Sequence, residues 1–178
     1  IHAGAALNSL KCANNLGMVG ELTLLGNLKT PDAHAEIFKQ LTDALKTSQV
    51  TEADFSSCGL GPVALGHLGD WVSEATAALN SVTVDSTGDM GSHYDDTQGK
   101  YVSNQIAYTL TSREENVDLS SKNLGPADVT LVAAWLTTDA GAAVARLILD
   151  ENPLTGGEWY DFDKDLTGVT ALFDTLKT

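Results

Sequence analysis

Cysteine is nearly absent: Cys12 and Cys58 are the only two in 178 residues. Two cannot build a disulfide framework, and neither sits in a Cys-x-x-Cys pair or at metal-ligand spacing from a histidine, so both read as small core residues. Long apolar runs are also lacking. A bilayer span needs roughly 20 apolar residues, and the best stretch, Val129 to Leu136, is soon interrupted by polar ones, so a soluble chain without a transmembrane segment is expected. Basic residues are scarce, 10 Lys and Arg against 24 Asp and Glu, for a formal net charge of −14. Such a field repels phosphate and attracts cations, which argues against nucleic acid as a partner.

The usual signatures of catalysis are missing too. His2, His34, His67 and His93 are scattered, with no His-x-x-x-His or His-Glu pair to suggest zinc chemistry. There is no Gly-x-Ser-x-Gly elbow, and Gly59-Leu-Gly61 is not followed by the Gly-Lys-Ser/Thr of a phosphate loop. No enzyme activity, metal or cofactor is expected. The chain begins at Ile1 without a basic-then-apolar leader, which suggests a processed or fragmentary amino terminus and favours an intracellular or organellar setting.

What is present is a composition of 43% hydrophobic and 19% charged residues, that of an ordered protein, in a length suited to one domain. Within it lies a repeat. Val117-Asp-Leu119-Ser-Ser-Lys-Asn-Leu124-Gly-Pro126 aligns with Ala53-Asp-Phe55-Ser-Ser-Cys-Gly-Leu60-Gly-Pro62, agreeing at six of ten positions. The frame extends to Leu147-Ile-Leu149-Asp-Glu-Asn152, to Leu22-Thr-Leu24-Leu-Gly-Asn27 and, loosely, to Val82-Thr-Val84-Asp-Ser-Thr87. Asn27, Cys58, Thr87, Lys122 and Asn152 then occupy one position at spacings of 31, 29, 35 and 30 residues. Such periods suit one strand plus one helix per unit.

The pattern resembles the leucine-rich-repeat family, in its long-repeat, helix-bearing, ribonuclease-inhibitor-like subclass. The resemblance implies an α/β solenoid of about five units, with parallel strands on the concave face and helices on the convex one. It divides the chain into an amino-terminal cap (1–19), the solenoid (20–155) and a carboxy-terminal capping loop and helix (156–178). It also implies that the Asn, or a Cys or Thr in its place, hydrogen-bonds the turn after each strand. Lys122 departs from that pattern, since lysine cannot accept a hydrogen bond; either Asn123 takes over or the unit is irregular.

Helices are expected between the strands. Thr30-Pro31-Asp32 opens one, with Asp32 at its positive end and Ile37, Leu41, Ala44 and Leu45 inward. A second follows Pro62, with Leu65, Leu68, Trp71, Val72, Ala75 and Leu79 inward. A third spans roughly 98–112, although Val102, Ile106, Tyr108 and Thr109 would suit a strand nearly as well. A fourth follows Pro126, burying Val129, Val132, Ala133 and Leu136, and a last one over 167–177 groups Val169, Leu172, Phe173 and Leu176 as a cap. Trp71 and Trp135 read as core, and Trp159 as cap packing.

Stacked strands would present their outward residues as a binding surface. Asp54, Ser56, Asp85, Asp118, Ser120, Asp150 and Glu151 are the candidate partner-binding residues, forming an acidic, hydroxyl-rich face. The plain alternative is that they are ordinary solvated positions. Carboxylates roughly 5 to 10 Å apart on neighbouring strands repel unless a cation relieves them, which points to a protein partner with a basic segment. Membership of a larger complex, as a structural or regulatory subunit, is the first rival; a carboxylate hydrolase is the second. Asp161, Asp163 and Asp165 match three ligand positions of a calcium loop, but Leu166 and Leu172 replace its glycine and glutamate. The long segment Asp85 to Asp96 reads as an insertion and a second contact region.

Overall fold

The computed structural model describes residues 6–156 and 164–177. In chain order the elements are β1 (Ser9–Lys11), β2 (Glu21–Leu22), β3 (Leu28–Thr30), α1 (Ala35–Leu45), β4 (Glu52–Asp54), α2 (Pro62–Glu74), β5 (Ser81–Asp85), β6 (Ser92–Asp95), β7 (Lys100–Ser103), β8 (Ala107–Thr111), β9 (Asn116–Asp118), α3 (Pro126–Leu136), β10 (Arg146–Ile148) and α4 (Thr167–Thr175). One mixed sheet has the order β1-β4-β5-β8; β9 and β10 form a separate parallel pair, and β2-β3 and β6-β7 are antiparallel hairpins.

This architecture corrects the expected solenoid of five parallel units. β1, β4 and β5 do run parallel, but β8 joins β5 antiparallel, Val82 opposite Leu110 and Val84 opposite Tyr108. The reason lies in residues 107–111. Tyr108 and Leu110 are buried while Ala107 and Thr109 face out, a period of two that fits a strand and not the helix expected over 98–112. The Thr83 and Thr109 hydroxyls then bond across the pair at 2.9 Å. The expected Leu22-Thr-Leu24 strand fails for a related reason: Leu24 and Leu25 lie fully exposed at the tip of the β2-β3 hairpin. The sheet instead starts at β1, in the segment expected to be a cap, and Leu10 pairs with Ala53.

The core lies between the sheets and the helices. Phe55, Leu65, Leu68, Trp71, Val82, Val84 and Leu124 are sealed from solvent, and α1, α2, α3 and α4 pack side by side. On α1 the inward face is rotated from expectation: Phe38 is buried and Ile37 is out. The Phe38 ring meets Phe55 edge-on at 5.2 Å, a geometry that adds to the area both rings bury. Trp71 and Trp135 are core, as read from the sequence. On α4, Phe173 and Leu176 are exposed and Gly168 is the buried residue.

Four turns repeat one backbone device. Asn14, Ser57, Ser121 and Glu151 have φ of 64°, 53°, 52° and 59°, each four residues beyond an inward strand residue, Leu10, Ala53, Val117 and Leu147. Left-handed backbone is uncommon for such residues, and at Asn14 and Ser121 it lets the amide meet the adjacent turn. The Asn14 amide donates to the Ser56 carbonyl and that of Ser121 to the Asp150 carbonyl, both at 2.9 Å.

Candidate functional site

The outward face of the four-stranded sheet is polar apart from Ala107, which lies opposite Asp85. Register places Lys11, Asp54, Thr83 and Thr109 in one row and Ser9, Glu52, Ser81 and Thr111 in another. At the strand end, Asp54 Oδ1 accepts the Ser56 amide at 3.0 Å and its hydroxyl at 2.7 Å. Asp118 does the same with Ser120, at 3.0 and 2.7 Å. The Ser120 hydroxyl and amide hold the Asp118 carboxyl below its ordinary range, helped by the nearby charges of Arg146 and Lys122.

The seven expected residues therefore fall into two groups. Asp54, Ser56 and Asp85 belong to the four-stranded sheet or its end, while Asp118, Ser120, Asp150 and Glu151 surround β9 and β10, and among the described residues no strand ladder joins the two. In the second group Glu151 accepts the Ser121 hydroxyl at 2.6 Å. The charges of Arg146 and Lys122 bear on Asp118 there.

In the first group Lys11 lies opposite Asp54 across the β1-β4 pair, while the charge acting on Asp85 is that of Asp54. The Ser57 amide donates to Asp85 Oδ2 at 2.6 Å, where the recurring turn would have used a carbonyl. Burial pushes the Asp85 carboxyl up and the Asp54 charge pushes it further, against the pull of the Ser57 amide. Among the described residues neither aspartate is in an ion pair. Ser57 and Asp85 open into a cleft of about 500 Å³ between the two hairpins, walled by residues including Leu28, Lys29, Met90, Tyr101 and Val102. Among the described residues its one lining cation, Lys29, is held by Glu21 at 2.8 Å.

Leu28, Lys29, Tyr101 and Val102 were missed at the level of sequence, whereas Met90 lies in the segment after Asp85 that was expected to be a second contact region. The insertion is ordered by a relay: His93 Nδ1 lies 2.6 Å from Asn104 Oδ1, the Asn104 amide donates to Asp89 Oδ2 at 2.6 Å, and the Asn123 side chain binds the Asp89 main chain on both sides at 2.8 Å. Tyr94 and Tyr101 pack edge-on at 5.4 Å on its exposed face.

A second acidic group proves structural. Asp128 is wholly buried, with Oδ2 accepting the Gly125 and Thr87 amides at 2.8 Å and the Thr87 hydroxyl at 2.7 Å, and Oδ1 accepting the Tyr108 hydroxyl at 2.9 Å. Burial raises its pKa, the four donors oppose that, and the Tyr108 phenol is itself pushed up by burial beside the carboxylate. With every neighbour a protein donor, Asp128 offers nothing to a substrate. Cys58 is similarly committed: burial raises its thiol to about 11, and its Sγ donates to the Cys12 carbonyl at 3.0 Å.

Asp165 Oδ1 accepts the amide and hydroxyl of Thr167 at the start of α4; Asp161, Asp163 and Trp159 lie outside the described residues. Among the described residues no three His, Cys, Asp or Glu side chains gather as metal ligands, and no helix is long and apolar enough to cross a membrane. No protein-family model matches the chain, and no curated protein matches it either.

Proposed function

We propose that the chain is a non-catalytic protein-protein interaction module that binds a partner with a basic segment at the Asp54-Asp85 end of the four-stranded sheet. One observation carries this reading: Asp85 opens on a cleft beside the Asp54 charge, neither aspartate is in an ion pair among the described residues, and both adjoin a face of serine and threonine hydroxyls. A cationic segment supplies the missing charge, and the hydroxyls offer both donors and acceptors. The net charge of −14 would speed its approach.

The test is affinity capture from the native source at low and high salt, with mass spectrometry of what is retained. Screening shortens from about 10 Å at 0.1 M to about 3 Å at 1 M salt, so a basic partner should be retained at low salt and released at high salt. Retention that ignores salt, or of acidic partners alone, overturns the reading. A second reading, a subunit of a larger assembly, is favoured by the exposed Leu24, Leu25, Phe173 and Leu176; recovery of a fixed stoichiometric complex at every salt concentration selects it.

A further inference from the structure

We infer that the cleft between the two hairpins takes an extended peptide segment as an added strand, with one Lys or Arg side chain of that segment reaching Asp85. This rests on the interaction reading above and specifies the partner chemistry at that site.

The walls provide the first argument. Among the described residues β3 pairs only with β2, and β7 only with β6, so each hairpin keeps an edge whose N–H and C=O groups lack a ladder partner there. Consecutive residues of both strands line the cleft, Leu28 and Lys29 on one side and Tyr101, Val102 and Ser103 on the other. Edge strands capture extended chains through main-chain hydrogen bonds, and alternate side chains then set specificity.

Size and charge provide the second. A volume of about 500 Å³ falls inside the range of roughly 300–1,000 Å³ in which concave sites hold ligands. Among the described residues Asp85 accepts only the Ser57 amide and has Asp54 as a charged neighbour. A guanidinium or ammonium group would meet a carboxylate already partly stripped of water, where a charge-assisted hydrogen bond is strong. Pro31, Met90 and Val102 offer apolar contact to the residues on either side of the cation.

The experiment selects a displayed library of random short linear peptides on the full chain, then measures binding of the synthesised winners by calorimetry. Enriched sequences should carry a Lys or Arg flanked by apolar or β-branched residues. Their affinity should fall about tenfold or more, the scale of one charged hydrogen bond, in the Asp85→Asn variant, which can still accept the Ser57 amide. The same loss is expected on replacing the peptide's cation by glutamine or methylating its backbone nitrogens, changes that leave the protein fold untouched. Asp118→Asn should bind as the parent does. Winners without a cation, binding indifferent to Asp85 or to backbone methylation, or no enrichment at all overturns the inference. If salt-sensitive capture of a native partner persists in any of those cases, the broader reading stands without it.

Discussion

Asn152 shows how much one side chain can hold. Its amide group donates to the Leu119, Leu149 and Asp150 carbonyls at 2.8, 2.8 and 3.2 Å, and its carbonyl accepts the Lys122 and Leu124 amides at 3.0 and 2.9 Å. Substituting alanine strands part-buried donors, so Asn152→Ala should lower stability by about 2–3 kcal/mol in urea unfolding. Asn27→Ala, in an exposed hairpin, should stay within about 0.5 kcal/mol. The two aspartate types respond oppositely to pH. Asp85 has a raised pKa, so its contribution is present below the unfolded value and is lost as pH rises through the folded one. Asp118, held low by Ser120, contributes above the unfolded value and loses that as pH falls. Asp85→Asn should therefore raise the urea midpoint at neutral pH, with the gain vanishing once the carboxyls are protonated. A gain that persists in acid would count against burial as the cause.

Helix ends and turns are fixed by groups distant in sequence. Asp32, expected to open α1, instead accepts the Gly61, Val63 and Ala64 amides at 2.8, 2.8 and 3.1 Å, capping α2. Asp32→Ala should cost about 1–2 kcal/mol by thermal or urea unfolding. Glycines separate just as clearly. Gly59 sits at φ +76°, and a Cβ there would lie 2.4 Å from the Leu16 carbonyl oxygen, so Gly59→Ala should be strongly destabilising, by more than the roughly 1 kcal/mol of a tolerated exchange. Gly66, on α2, faces open space, and Gly66→Ala should add about 0.5–1 kcal/mol. A midpoint that falls for Gly66→Ala would show that α2 is limited by something other than backbone entropy.

Across the whole molecule, the parts legible in the sequence were those set by short-range pattern. The strands at Ala53, Val82, Val117 and Leu147 and the helices after Pro62 and Pro126 all form, because apolar spacing and Gly-Pro starts act locally. Asn123 does not take over the Lys122 turn: its side chain bonds Asp89 and Asn104 of the inserted segment, and Asn152 accepts the Lys122 and Leu124 amides instead. Pairing direction was not legible, since a strand with one buried face has the same alternation whether its neighbour runs parallel or antiparallel. The site was half legible for the same reason: Asp54 and Asp85 followed from the strand frame and Met90 from the long segment after Asp85, whereas Lys29 and Tyr101 reach the cleft only through hairpins whose approach to one another leaves no mark on either segment alone.

The late arrival of β8 has a consequence for biogenesis. Thr83 and its partner Thr109 are 26 residues apart, with the entire β6-β7 hairpin between them, so β5 leaves the ribosome with one side uncovered. Until that tract is synthesised, a nascent chain ending before Ala107 presents Val82 and Val84 on an open strand, a template for misassembly. Chains released at that point should precipitate or recruit chaperones, while chains extended through Thr111 should not.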